Sequence, residues 1–187
     1  PLFEFIEFDI QLTADGKKAV IHQNNIFRIP KKFAKISTMN YSEVQETFEF
    51  YVPTYEEVID IVKEKPLQID IKSSKNLTND QELIDFLVSD LEEAGVEDYI
   101  ISSTSEDIVK YTEETYPHVE TGRVFWVTQN SIFPTGNAVA KFYNSTAADY
   151  VFIHGHNLRN YDLLMENKPE DVKIAFWYFT DEIYLMS

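Results

Sequence analysis

The sequence predicts an α/β chain of the (β/α)8 TIM-barrel type, with fewer strands than a closed barrel needs. Three observations carry this. Short apolar runs alternate with amphipathic helical stretches along most of the 187 residues, the pattern of βα units stacked into a parallel sheet. Side chains able to do chemistry stand on the polar faces of strands and at their ends, as on the catalytic face of such barrels. Seven strands are countable, against eight and roughly 250 residues for a complete barrel. With 44% hydrophobic residues, residues 1–187 suit a single domain with a substantial core.

The first strand and its hairpin organise the rest. Residues 3–12 alternate, an Asp15-Gly16 turn follows, and a second apolar run ends at His22. Alternation puts Phe5, Glu7 and Asp9 on one face and Ile6, Phe8 and Ile10 on the other. The apolar face suits packing against helices. Two carboxylates side by side on the opposite face repel each other and resist burial, so a positive group belongs between them. A hard divalent cation held by oxygens is the economical one, with His22 placed for proton transfer beside it.

Residues 23–51 are mixed in character, with a basic cluster at Lys31, Lys32 and Lys35 and a helical stretch near 42–48. A connection of that length suggests a lid over one end of the barrel. Thr54 and Glu57 then form a capping box that opens a helix burying Val58, Ile59, Ile61 and Val62. In the strand 67–72, Leu67, Ile69 and Ile71 face one way and Gln68, Asp70 and Lys72 the other. Residues 79–94 read as an amphipathic helix stopped by Gly95, and 99–103 as a strand. Thr104 or Ser105 caps the next helix, with Glu106 and Asp107 in its first turn, and Pro117 ends it.

Residues 122–127 are a further apolar run, 128–143 a loop with a short helix, 149–153 a strand, 158–166 a helix and 173–181 the last strand. His154-Gly155-His156 has no acidic or thiol partner nearby and reads as two loop histidines rather than a metal site. His118 reads as a surface histidine.

The net charge of −16 argues against nucleic acid or an anionic membrane as the main partner. A small anionic substrate stays open, because a local cation inverts the potential inside one cleft. With no Cys, thiolate catalysis, disulfides and Cys-ligated zinc are excluded. No run of about 18 apolar residues exists, so no transmembrane segment is expected here. The start at Pro1, directly into a strand, reads as a piece of a longer chain, which leaves room for a membrane tether in the parent protein and leaves the compartment open.

Glu7-Phe8-Asp9-Ile10-Gln11-Leu12-Thr13 with Asp15-Gly16, then Val20-Ile21-His22 and Ile26-Phe27-Arg28, resembles the glycerophosphodiester phosphodiesterase family. That family, of the phosphatidylinositol-specific phospholipase C-like superfamily, reads Glu-x-Asp-Val-Gln-Leu-Thr-x-Asp-Gly and then Val-x-x-His-Asp-x-x-Leu-x-Arg. Leu67-Gln68-Ile69-Asp70-Ile71-Lys72 resembles its Leu-x-Ile-Glu-Ile-Lys strand, and Trp177 stands on the tryptophan of its Val-Trp-Thr-Val-Asn-Asp strand. Gln23 replaces the family's Asp, and Asp70 its Glu. The family's first strand with His-Arg-Gly, the helix after it and most of the last helix are not found, so the barrel is expected to be partial. An open edge is a template for association, and an oligomer is one way to cover it.

The resemblance implies hydrolysis of a small glycerophosphodiester to an alcohol and glycerol 3-phosphate, assisted by Ca²⁺ or Mg²⁺. It places Glu7, Asp9 and Asp70 on the metal, Lys72 on the substrate phosphate, His22 as general acid or base, and Trp177 against the glycerol moiety. A core tryptophan explains Trp177 equally well. The departures at positions 23 and 70 and the missing histidine of the first strand favour an alternative, a catalytically degenerate domain with a binding or structural role.

Overall fold

The computed structural model describes residues 5–22, 25–26, 34–125 and 136–177. Its main sheet has seven strands: β1 (Ile6–Leu12), β2 (Lys18–Val20), β5 (Leu67–Ile71), β6 (Tyr99–Ser103), β7 (Glu120–Phe125), β8 (Tyr150–His154) and β9 (Lys173–Trp177). A two-stranded pair, β3 (Asn25–Ile26) and β4 (Ala34–Lys35), stands apart. The helices are α1 (Tyr41–Thr47), α2 (Tyr55–Val62), α3 (Leu77–Glu93), α4 (Glu106–Thr115), α5 (Gly136–Tyr143) and α6 (Tyr161–Glu166).

The order across the sheet is β2-β1-β5-β6-β7-β8-β9, parallel throughout except for the antiparallel β1–β2 hairpin. The expected alternation of strands and helices is therefore present. The count of seven strands holds for the main sheet, with β3 and β4 additional to it, but β2 is the return arm of a hairpin, so six strands are parallel and the sheet ends at β2 and β9 without closing among the described residues.

The apolar faces read from the sequence meet the helices. Phe8, Ile10, Ile69, Ile71 and Ile101 pack with Ile59 of α2, Leu83, Leu87 and Leu91 of α3 and Ile108 of α4 in one buried cluster. Each such side chain contributes roughly 1.5–3 kcal/mol through burial, which fixes the opposite, polar face of the same strands on the concave side of the sheet. A smaller cluster under α5 and α6 joins Val139, Tyr143 and Leu164 to Val151 and Ile153 of β8.

The local signals hold. Gly16 takes φ +76° in the Asp15-Gly16 turn, where the Asp15 carboxylate accepts hydrogen bonds from the Thr13 hydroxyl (2.6 Å) and the Tyr41 amide (2.9 Å). Glu57 accepts from the Thr54 amide at 2.9 Å, completing the capping box of α2. Ser105 rather than Thr104 is the N-cap of α4.

Three expectations need correction. Ile61, expected on the buried face of α2, is 81% exposed; the helix buries Tyr55 and Ile59, and Ile61 falls on the opposite side of the turn. The described part of 23–51 supplies no wall to the concave cavity; its Ile36, Met39 and Val44 pack instead, together with Val52, on Ala19 and Ile21 of the hairpin. The helix expected over 158–166 is α6 preceded by a 3₁₀ stretch, Gly155–Asn160. There the Asn157 side-chain amide donates to the His154 carbonyl at 3.1 Å, a local bond that competes with helical pairing. No helix among the described residues is long and apolar enough to cross a membrane.

Candidate active site

The concave face of the sheet encloses a cavity of about 530 Å³. Glu7 and Asp9 of β1, His22 just beyond β2, Asp70 of β5, Lys72 one residue past β5 and Trp177 at the end of β9 all line it. The six side chains singled out from the sequence thus share one space. Alternation along each strand is what aims them there, since their neighbours Phe8, Ile10, Ile69 and Ile71 are held on the helical side.

At its centre, parallel pairing of β1 and β5 sets Asp9 beside Asp70. Both are buried, at 8% and 3% exposure. The Lys72 ammonium lies between them, 2.5 Å from Asp9 Oδ1 and bonded to Asp70 Oδ2. The other oxygen of Asp70 accepts the Ser102 hydroxyl at 3.0 Å, and Ser102 in turn accepts from Gln68 Nε2 at 3.2 Å. The backbone amide of Lys72 donates to the Ile10 carbonyl at 3.0 Å, so the pairing with β1 runs on to the lysine itself.

The electrostatics follow from this crowding. Burial alone would lower the Lys72 pKa, but the Asp70 and Asp9 carboxylates outweigh it and hold the ammonium above its usual value. Burial pushes the Asp70 carboxyl up, against the pull of Lys72 and Ser102. Glu7 is solvent-exposed in area, yet it stands in a concave mouth where surrounding atoms displace much of its water. Its carboxyl is pushed up to about 7, first by that desolvation and then by the charges of Asp9 and Asp70, with Lys72 opposing. Three carboxylates and one ammonium leave a formal excess of two negative charges when all are ionised, and the donor oxygens are of the kind that hard divalent cations take. As the side chains stand, no group of three or more His, Cys, Asp or Glu residues among those described gathers closely enough to hold a metal ion; Lys72 fills the space between two of the carboxylates.

His22 is exposed at the cavity rim. Trp177 is anchored at the far wall, where its Nε1 donates to the Phe125 carbonyl at 3.3 Å and its ring meets that of His154 edge-on, centroids 5.0 Å apart. His154 is thus a buried residue ending β8 rather than a loop histidine. His118 is exposed and bonds Glu92 at 2.7 Å, as a surface histidine. Gln23 and Arg28 lie outside the described residues.

Sequence reasoning missed several walls of the cavity. Ser102 looks unremarkable in an apolar strand, although alternation puts it on the same face as Ile100, which lines the cavity. Tyr150 and Phe152 stack in nearly parallel planes, centroids 5.8 Å apart, across from the carboxylates. Room for Phe152 comes from Gly122, where an added Cβ would stand 2.3 Å from the Phe152 ring. The isolated Gly in the strand 122–127 was the available signal, since a strand glycine often marks a close approach.

The sequence matches the glycerophosphoryl diester phosphodiesterase family over residues 3–182, nearly the whole chain. The chain belongs to that family. As a phosphodiesterase of this kind it shares its fold with solved structures at low identity. A phosphodiesterase from Oleispira antarctica, solved with the product sn-glycerol-3-phosphate, aligns with a TM-score of 0.69 and 17% identity, covering 96% of this chain and 74% of that one. A glycerophosphodiester phosphodiesterase from Thermotoga maritima gives 0.63 and 19%, covering 94% and 73%. One from Parabacteroides distasonis gives 0.67 and 18%, covering 94% and 71%. No curated protein matches the chain by sequence. The glycerophosphodiester phosphodiesterase fold explains why the polar strand faces converge: in such barrels the working residues come from the C-terminal ends of several strands.

Proposed function

We propose that this phosphodiesterase hydrolyses a glycerophosphodiester to an alcohol and glycerol 3-phosphate with the help of a divalent cation, Ca²⁺ or Mg²⁺. The observation that carries the reading is the convergence of Glu7, Asp9, His22, Asp70, Lys72 and Trp177 on one cavity in a chain of this family. The Oleispira neighbour's bound sn-glycerol-3-phosphate supports the product.

Glu7, Asp9 and Asp70 would hold the cation, and the excess of negative charge at the cavity floor favours it. When bound, the ion supplies positive charge against phosphate oxygens, whose charge shifts in the transition state. Lys72, which bridges Asp9 and Asp70, would supply positive charge at the same place. His22 at the cavity rim gives a proton to the leaving alcohol oxygen or takes one from the attacking water. Trp177, with Tyr150 and Phe152, forms the apolar wall for the glycerol carbons.

The test is hydrolysis of glycerophosphocholine with Mg²⁺, Ca²⁺ or EDTA, comparing the chain with His22→Ala. Activity that vanishes in EDTA and falls by about 10²–10⁴ in the variant is expected. EDTA-insensitive turnover, or an unimpaired variant, contradicts the mechanism. The bridging position of Lys72 also fits a domain that binds without turnover, and that reading takes over if glycerophosphocholine binds and is never cleaved.

A further inference from the structure

Beside the main cavity lies a second cleft of about 180 Å³, at the far end of β1 and β5. Its walls carry Lys35, Lys72 and Lys75 together with Ser37, Ser73 and Ser74. Three lysines on one small concavity run against a chain whose net charge is −16. Lys72 is committed to Asp9 and Asp70, but Lys35 and Lys75 have no ion pair among the described residues. Among the described residues, no carboxylate lines this cleft.

The loop that presents Lys75 is held rigidly. Buried Asp80, 4% exposed, accepts hydrogen bonds from the Ser73 hydroxyl (2.6 Å), the Ser74 amide (2.8 Å) and the Ser74 hydroxyl (2.7 Å). The Lys75 amide donates to the Ser73 hydroxyl at 3.1 Å. Lys75 itself sits at φ 68°, the one non-glycine residue with positive φ among those described. That conformation is unfavourable for a long side chain and is common for Asn or Gly, so a lysine there is unexpected on backbone grounds alone. The result is a preformed cationic ledge, whose ordering need not accompany ligand binding.

Lys72 is a shared wall of both cavities. We infer that the cleft holds a second phosphate carried on the alcohol half of the substrate, so that the preferred substrates are glycerophosphodiesters of a phosphorylated polyol. This deepens the proposed function and rests on it for the position of the first phosphate. Lys35 and Lys75 contact the second phosphate, with the Ser37 hydroxyl as a neutral donor.

The experiment measures binding without turnover. Inositol 1,4-bisphosphate and inositol 1-phosphate, which are monoesters and not phosphodiesterase substrates, are titrated calorimetrically into the chain in Mg²⁺. The same is done for a Lys35→Gln, Lys75→Asn double variant, in which Asn keeps the backbone at position 75. The bisphosphate is expected to bind about tenfold more tightly than the monophosphate, and the double variant to bring the two close to equal. A ratio under about threefold in the unaltered chain, including no binding of the bisphosphate, or a ratio that the variant does not reduce at least about threefold, overturns the inference. Absence of glycerophosphodiester hydrolysis alongside an intact ratio overturns the proposed activity and leaves the cleft standing; hydrolysis with no ratio overturns the cleft alone.

Discussion

Asp9 and Asp70 stand side by side on adjacent parallel strands, with the Lys72 ammonium bridging them and the Ser102 hydroxyl closing the far side of Asp70. Removing the lysine leaves two buried carboxylates facing each other. Lys72→Met is therefore expected to destabilise the ion-free chain by about 3–5 kcal/mol, the cost of breaking a buried pair from one side. Urea unfolding in EDTA measures it. Adding Asp9→Asn and Asp70→Asn to Lys72→Met should recover most of the loss; a single variant as stable as the parent would mean that the bridge is not formed in solution.

A cation that binds only the folded chain must raise its stability, by about 2.7 kcal/mol at a hundred times the dissociation constant. Millimolar Ca²⁺ or Mg²⁺ should raise the melting temperature, and Glu7→Gln or Asp9→Asn should abolish the rise. Melting curves that coincide with and without the ion would remove these residues from a metal role.

Glu7 gives the pH dependence of the ion-free chain. Its folded carboxyl, pushed to about 7 from 4.5, keeps its proton in a range where the unfolded chain has already lost it. Between those values the native state binds more protons, so stability falls as pH rises from 4.5 to 7 and levels off above. The protonated form is the better tolerated one, and the stability associated with it is lost as pH passes the folded value. Glu7→Gln should flatten that part of the profile in EDTA. An equal slope in parent and variant would assign it to other groups.

Gly122 is required by the close approach of Phe152, so Gly122→Ala should cost about 1–3 kcal/mol as an overpacked site. Denaturant midpoints check it. Phe152→Ala in the same background should relieve the clash, and the two losses should then be smaller together than their sum.

Much of this was legible in the residues. The Asp15-Gly16 turn, the Thr54–Glu57 box and the alternation along β1 and β5 depend on neighbours within a few positions, and local chemistry decides them. The same alternation picked out Glu7, Asp9, Asp70 and Lys72 as one polar face. The extent of residues 155–166 was less legible, because the Asn157 bond to the His154 carbonyl redirects the chain without changing its hydrophobic pattern.

The sequence by itself determined which side chains lie on the polar faces of the strands, because period-two alternation and helix packing leave them only one side to take. Only the tertiary structure decided that Asp9 falls level with Asp70, that Lys72 rather than empty space separates them, that Ser102 joins the cluster, and that Gly122 makes room for Phe152. Those facts rest on the register between strands tens of residues apart and on how many of the strands run parallel. Register is set by the packing of the whole sheet against its helices, and no local run of residues encodes it.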